Sequence, residues 1–393
     1  MRYVGIDIAS ETHVAGVVDA EAQVVVKATP FAEDAGGYAK LLEVIGPPGD
    51  CLVAMEATGH YWQNLFAHLA AHGYSIALLN PLRTHRFAEE DLQRTKTDAI
   101  DAVGIARFAA QKRPAATRLP DGVTQQLREL VRLRDRLKQD FGDQVRHLHR
   151  VVDLAFPEFT RHVRTLDSEL ASAVLSQYPT AAVFAGASPR RLAKLCYDGK
   201  HKVGDELAQA LVADAKRSVG AHQGTAYEVQ VRYACQTLDL LRRQLREVSG
   251  DIERLLHEHD VGSLLTTIDG IGPQTAARLV AELGDIATRF PDGAALASYV
   301  GIIPAIRHSG KHTPARAGIT PIGHAKLRAA LWMPTLTAVR KNPWLRAFYQ
   351  RLIAAGKLPK VALVAAMRKL LHAVYSVAKN RKPFVPRLEE VTS

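Results

Sequence analysis

Hydrophobic positions fall into three regimes along this chain. In the first eighty residues they form short runs of strand length, at 3–8, 14–19 and 23–29, with the turn residues Asp19-Ala20-Glu21-Ala22 between the last two. Three short runs in series predict an antiparallel meander. Residues 38–45 then show a helical pattern, stopped by Gly46-Pro47-Pro48-Gly49. A run at 51–56, a helix at 61–72 closed by Gly73, a strand at 75–80 closed by Pro81 and a helix at 97–110 follow. Strands in meander followed by alternating helix and strand predict an α/β layer with a mixed sheet.

From Thr124 the spacing changes to steps of three and four. Leu127, Leu130, Leu137, Phe141, Leu148 and Val151 follow it, interrupted at Arg134 and Gln144. Val231, Ala234, Leu238, Leu241, Leu245, Val248, Ile252 and Leu255 follow it without a gap. This is coiled-coil spacing. It predicts two long helices forming an antiparallel arm or a dimer seam, against the plainer alternative of core helices. Arg128, Arg132, Arg136, Arg146 and Arg150, with Arg242, Arg243 and Arg246, give the pair a basic flank suited to nucleic acid. Residues 156–224 between them read as irregular and helical, at the tip of the arm, with Pro189-Arg190-Arg191 and Lys200-His201-Lys202. No chemistry is assigned to them. In the third regime, residues 343–380 read as one long core helix.

Charge sharpens this picture. The chain is +11 overall, yet residues 301–383 carry sixteen Lys or Arg and no Asp or Glu. The other 310 residues hold 35 Lys and Arg against 40 acids, so the charge is concentrated rather than scattered. Such a segment suits a polyanion. Within it, Arg307-His308-Ser309-Gly310-Lys311 sets a hydroxyl on a turn among cations. Arg307, Lys311, Arg316, Lys326 and Arg328 are candidates to bind phosphate oxygens and stabilise developing charge. Ser298, Thr313 and Thr320 are rival hydroxyls. Upstream, Gly270-Ile271-Gly272-Pro273 resembles a helix-hairpin-helix turn, where glycine lets backbone N–H groups approach a phosphate without reading sequence. A tight turn between core helices is the alternative.

Four carboxylates stand out in the α/β layer. Asp7 lies in an apolar strand, where an ionised carboxylate needs a partner. Glu56 ends another strand, and Asp98 and Asp101 share one face at a helix start. Together they form an all-oxygen donor set suited to Mg²⁺, and two such ions would clamp a phosphodiester. Singly, Asp98 is accounted for as a first-turn acid behind a Thr97 cap. Cys51, Cys196 and Cys235 are too few and too scattered for a disulfide framework or a cysteine zinc site. His257-Glu-His and His147-Leu-His lack the spacing that places two histidines on one helix face. The absence of a leader pattern at the start, and Arg368-Lys369 within the apolar stretch 361–378, lead to the expectation of a cytoplasmic protein without a membrane span.

Taken together, Gly5-Ile-Asp-Ile, Met55-Glu-Ala-Thr-Gly, Lys96-Thr-Asp-Ala-Ile-Asp, Ile268-Asp-Gly-Ile-Gly-Pro, Ser309-Gly310 and Lys360-Val-Ala-Leu-Val-Ala-Ala-Met-Arg-Lys resemble the insertion-sequence transposases of the IS-one-ten group, which includes related DNA invertases. The motifs occur in family order over nearly the whole chain. The resemblance implies a RuvC-like domain of RNase H fold at 1–118, whose Asp-Glu-Asp-Asp set falls on Asp7, Glu56, Asp98 and Asp101. It implies a coiled-coil arm at 119–259 with a helical insert at 156–224, and a mostly α transposase domain at 260–393. By motif the family's nucleophile is Ser309, which becomes linked to a DNA phosphate. Further implications are Mg²⁺ (or Mn²⁺), element-end and target DNA, a guiding bridge RNA, and tetramers built from dimers in which each active site combines domains of two subunits. Two departures stand out: His312-Thr-Pro follows Ser309-Gly310-Lys311 in place of a denser basic run, and Pro321 replaces an expected basic residue. The runner-up is a RuvC-like metal-dependent endonuclease in which water attacks and Ser309 is only a turn.

Overall fold

A computed structural model describes residues 1–90, 97–118, 120–303, 319 and 322–386. It divides into two compact units, residues 1–119 and 120–393.

The first unit is built on β1 (Arg2–Asp7), β2 (Thr12–Val18), β3 (Val24–Ala32), β4 (Cys51–Glu56) and β5 (Ser75–Leu79). Their order in the sheet is β3-β2-β1-β4-β5. The β1–β2 and β2–β3 pairs are antiparallel, and β1–β4 and β4–β5 are parallel. Meander and mixed sheet are both as the sequence pattern predicts. Helices α1 (Ala35–Ile45), α2 (Trp62–Ala71), α3 (Pro81–Glu90) and α4 (Asp98–Lys112) complete the unit. Gly46 at φ 79° ends α1, and Asp34 caps its start by accepting from the Gly37 N–H at 2.7 Å. Side chains of a strand alternate between the two faces of its sheet. Val4, Ile6, Val53 and Met55 accordingly pack with Tyr38, Leu41, Leu65 and Leu69 of α1 and α2. Tyr3, Leu52, Ala54, Ala77 and Leu79 pack with Ile105, Phe108 and Ala109 of α4.

The second unit is helical among the described residues, apart from isolated bridges. Two 34-residue helices, α5 (Gly122–Ala155) and the later α11 (Thr225–Glu258), are each about 50 Å long at 1.5 Å per residue. Between them lie α6 (Phe159–His162), α7 (Glu169–Gln177), α8 (Ala181–Ala185), α9 (Pro189–Ala193) and α10 (Asp205–Ala215). The long helices run antiparallel: Thr124 bonds His259, Arg134 bonds Ser249 and Arg150 bonds Gln230. Their apolar stripes serve two cores, with the buried Leu137 and Leu241 between them. Leu148, Val151, Val231, Ala234 and Leu238 join a core with Phe156, Phe159 and Phe184 of the intervening helices. Leu127, Val131, Ile252 and Leu256 join a second core with the C-terminal helices. Phe141, Leu245 and Val248, between the two, are only partly buried. The segment 156–224 is thus helical and shares one core with the adjoining ends of the two long helices.

The C-terminal helices are α12 (Asp260–Leu265), α13 (Pro273–Leu283), α14 (Ile286–Arg289), α15 (Gly293–Val300), α16 (Ala325–Ala330), α17 (Trp332–Lys341), α18 (Pro343–Ala354) and α19 (Pro359–Asn380). The single helix expected at 343–380 is two, because Gly356 takes φ 76° and Pro359 cannot continue a preceding helix. By length and composition α19 is apolar enough to cross a membrane, but Leu363, Met367, Leu370, Leu371 and Val374 are buried in the second core.

Candidate functional site

Parallel pairing of β1 with β4 sets Ile6 opposite Met55. The next residue on each strand is a carboxylate, Asp7 and Glu56. By alternation both fall in the series that faces α4, at the carboxyl ends of neighbouring strands about 4.8 Å apart. Helix α4 lies directly on β1, because Gly5 leaves room for it. A Cβ on Gly5 would sit 2.1 Å from the Ala102 carbonyl oxygen and 2.2 Å from the Ala106 nitrogen. Asp98 and Asp101 occupy the first turn of α4, within a turn of that contact, and Asp7 is two residues from it along β1. Thr97 caps the helix, its hydroxyl accepting from the Ile100 N–H at 3.3 Å. Both aspartates therefore also complement the helix dipole.

The four carboxylates thus share a face without closing into a cage. Among the described residues, no three Asp, Glu, His or Cys side chains lie close enough together to hold a metal ion. The donor set is oxygen throughout, which fits a hard divalent cation and not a soft one. Two further groups shape this edge, and neither carried a signal in the sequence. The Thr84 hydroxyl on α3, itself buried, donates to Glu56 Oε1 at 2.5 Å. His13 on β2 is fully buried, and its Nδ1 accepts from the Ala9 N–H at 3.2 Å. Its proton is therefore on Nε2, which faces Glu33 Oε2 at 2.5 Å. Glu33 also accepts from Tyr38 at 2.6 Å and Asn64 at 3.2 Å. Ala9 is two residues beyond Asp7, so this network fixes the turn by which the chain leaves β1.

In the second unit the Gly270-Ile271-Gly272 turn joins α12 to α13, and its two glycines differ in kind. Gly270 takes φ 103°, and a Cβ there would lie 2.5 Å from the Ala338 Cβ of α17, so it is a packing glycine. Gly272 is exposed, caps α13 and has open space beside it. A phosphate has access to the helix start there, at Gly272 and not at Gly270. Ser309, Arg307, Lys311 and Arg316 lie outside the described residues, as do Thr313 and Thr320. The residues that flank this segment are described. Gly301 at φ 81° and Gly323 at φ 123° meet backbone to backbone, and a Cβ on Gly323 would lie 2.6 Å from the Gly301 Cα. The His324 N–H donates to the Tyr299 carbonyl at 3.1 Å. Arg328 donates to the Val300 carbonyl at 3.2 Å, so part of its guanidinium caps the end of α15. Lys326 is exposed.

Two family models match this chain in order. One for a transposase of the DEDD IS110 type spans residues 4–157, and one described as transposase IS116/IS110/IS902 family spans 262–350. The first includes all four carboxylates and the second includes the Gly270–Gly272 turn and the segment between Gly301 and Gly323. The chain belongs to the IS110 family of transposases. A pilin gene-inverting protein of Moraxella bovis is 26% identical, over 86% of this chain and 82% of that protein. A mini-circle putative transposase for IS117 of Streptomyces coelicolor is 28% identical, over 97% and 95%. An insertion element IS110 protein of 43.6 kDa from the same organism is 26% identical, over 78% and 76%.

This transposase is accordingly an enzyme acting on DNA, with an RNase H-like α/β region at its N-terminus. Half of the eight arginines of the basic flank expected along its two long helices are ion-paired within the chain. Arg132 pairs with Glu129, Arg146 with Asp143, Arg242 with Asp239 and Arg246 with Glu169. Arg128 donates to the Ala281 carbonyl at 2.7 Å. Arginine spacing in sequence does not reveal the acids that fold against it.

Proposed function

We propose that this transposase is an RNA-guided DNA recombinase in which Ser309 is the nucleophile. The observation that carries the reading is the charge of the segment that bears Ser309, with the meeting of the residues that flank it. That segment lies in an 83-residue stretch of sixteen cations and no acids, and Gly301 and Gly323, on either side of it, are in contact. In the proposed step the Ser309 Oγ attacks a scissile phosphorus and loses its proton, while the departing strand oxygen gains one. The phosphoserine ester keeps the energy of the broken phosphodiester, so a second strand hydroxyl can displace serine and rejoin DNA without ATP. The Moraxella relative is named for inverting a pilin gene.

Asp7, Glu56, Asp98 and Asp101 would hold Mg²⁺, or Mn²⁺, which supplies Lewis-acid stabilisation of phosphate charge when bound. Thr84 orients Glu56, and the His13–Glu33 network holds the turn after Asp7. Gly272, Lys326 and the cations of the segment, Arg307, Lys311 and Arg316, would bind strand phosphates, with the remaining N–H groups of Arg328. A bridge RNA pairing with element-end and target DNA would set the sites. The two long helices would form the seam of dimers that assemble into tetramers.

The test is a joining assay with element-end DNA, target DNA, Mg²⁺ and RNA transcribed from the element's non-coding flank. Joined product should require that RNA, and should be lost in Asp7→Asn. Joining that proceeds equally without RNA would refute guidance while leaving the chemistry intact.

A further inference from the structure

One face of the helical pair carries more positive charge than its own acids answer. Arg134, Lys138 and Phe141 share a face of α5, at steps of four and three. Arg278 of α13 reaches the same place and makes a two-pronged ion pair with Asp135, one prong at 2.7 Å. Arg134 donates Nε to the Ser249 hydroxyl at 3.0 Å. Lys138 has no hydrogen bond or ion pair among the described residues, and the nearest carboxylate, Asp135, is already taken by Arg278. Arg134 is half-buried and Lys138 exposed; desolvation of their stems lowers the proton affinity of both, against the opposing pull of Asp135 on both and of Glu253 on Arg134. The Arg278 charge lowers both further, and Arg134 also acts on Lys138. Like charges four residues apart on a helix repel.

Beside this cluster is a cavity of about 490 Å³, lined by Phe141, Arg242, Leu245, Arg246, Ser249, Gly250 and one carboxylate, Glu253, which also accepts from Gln274 at 3.3 Å. Arg242 lies 5.8 Å over the Phe141 ring. Gly250 sits inside α11, where glycine weakens a helix relative to alanine. Nothing lies within 4 Å of where its Cβ would be, so packing does not require glycine there. Bare backbone, an aromatic ring and a group of cations with Lys138 left over lie side by side, with Glu253 at the edge.

We propose that this surface is a phosphodiester-binding site, which takes the backbone of a nucleic acid strand against Lys138 and Arg134 with its sugar or base toward Phe141. The site rests on the reading of the chain as a nucleic-acid-acting enzyme and adds a place of contact remote in sequence from Ser309. The phosphate relieves the repulsion that the cations impose on one another. In its absence the cluster destabilises the protein, so removing one charge should trade stability against binding.

The experiment compares the full-length protein with Lys138→Gln and, as a charge control, Arg254→Gln, an exposed residue of α11 paired with Asp251 at 2.7 Å. Binding of element-end duplex DNA and of RNA from the element's flank is measured across a salt series. One lost phosphate contact flattens the log–log slope by about 0.9 for duplex DNA and about 0.7 for a single strand. Lys138→Gln should flatten one of these slopes by that amount, which identifies the strand, and should raise the melting temperature of the free protein at low salt. Arg254→Gln should do neither. A Lys138→Gln slope that tracks the control overturns the proposal, as does a lower melting temperature. A change in oligomer size by light scattering with both slopes unchanged would also overturn it, assigning the surface to protein. Ser309→Ala should keep the wild-type slopes, so failure here is separable from failure of the proposed chemistry.

Discussion

Glu33 connects a buried histidine, a tyrosine and an asparagine at the point where the chain leaves β1. Burial alone would raise its proton affinity, but hydrogen bonds from Tyr38, His13 and Asn64 outweigh that and hold it below the ordinary carboxylate value. A carboxyl depressed in the folded state stabilises the protein above its unfolded value near 4.5, and that contribution fades as pH falls through the lower folded value. Wild type should therefore lose stability on acidification below about pH 4.5, and Glu33→Gln should lose less over the same interval. Denaturant melts across pH 3 to 6 measure this, and parallel curves would show that the network contributes nothing. None of it was legible in sequence, where His13 and Glu33 are twenty residues apart and unremarked. Asp7 and Glu56 were legible, because each is a lone carboxylate at the end of an apolar run. Thr84 was not: a threonine in a polar helix gives no hint that its hydroxyl meets Glu56.

At the scale of elements, Gly5 is the hinge of the candidate metal edge. It admits the α4 backbone against β1 and so brings Asp98 and Asp101 to the face that Asp7 and Glu56 share. If that edge holds Mg²⁺, the ion stabilises the native state by mass action, about 2.7 kcal/mol at a hundred times its Kd. The melting temperature should rise with added Mg²⁺ in wild type and stay flat in Asp98→Asn. Equal shifts in both would place the ion elsewhere. The sequence pattern placed nearly every strand and helix of this unit, since each has a period and a stop signal. It did less well with the long helices. Their three-and-four spacing reads as one seam, but spacing cannot show that Leu148 and Val231 serve one core while Leu127 and Ile252 serve another. It also missed the break between α18 and α19, because Leu352 and Val361 continue an apolar pattern across Gly356 and Pro359.

For the molecule as a whole, function was more legible than architecture. The concentration of charge in residues 301–383, the four carboxylates and the order of the motifs all point toward a DNA transposase, and the two matched regions carry them in the same order. What sequence could not supply is how charges pair once folded: Arg132, Arg146, Arg242, Arg246 and Arg254 of the long helices are answered by acids, while Lys138 is not. The most direct measurement is a denaturing gel of purified protein with labelled element-end DNA, Mg²⁺ and the flanking RNA, with Ser309→Ala alongside. A labelled protein–DNA adduct in wild type and none in Ser309→Ala is the predicted result. DNA cleavage without any adduct, undiminished in Ser309→Ala, would contradict the account and leave a nuclease that uses water.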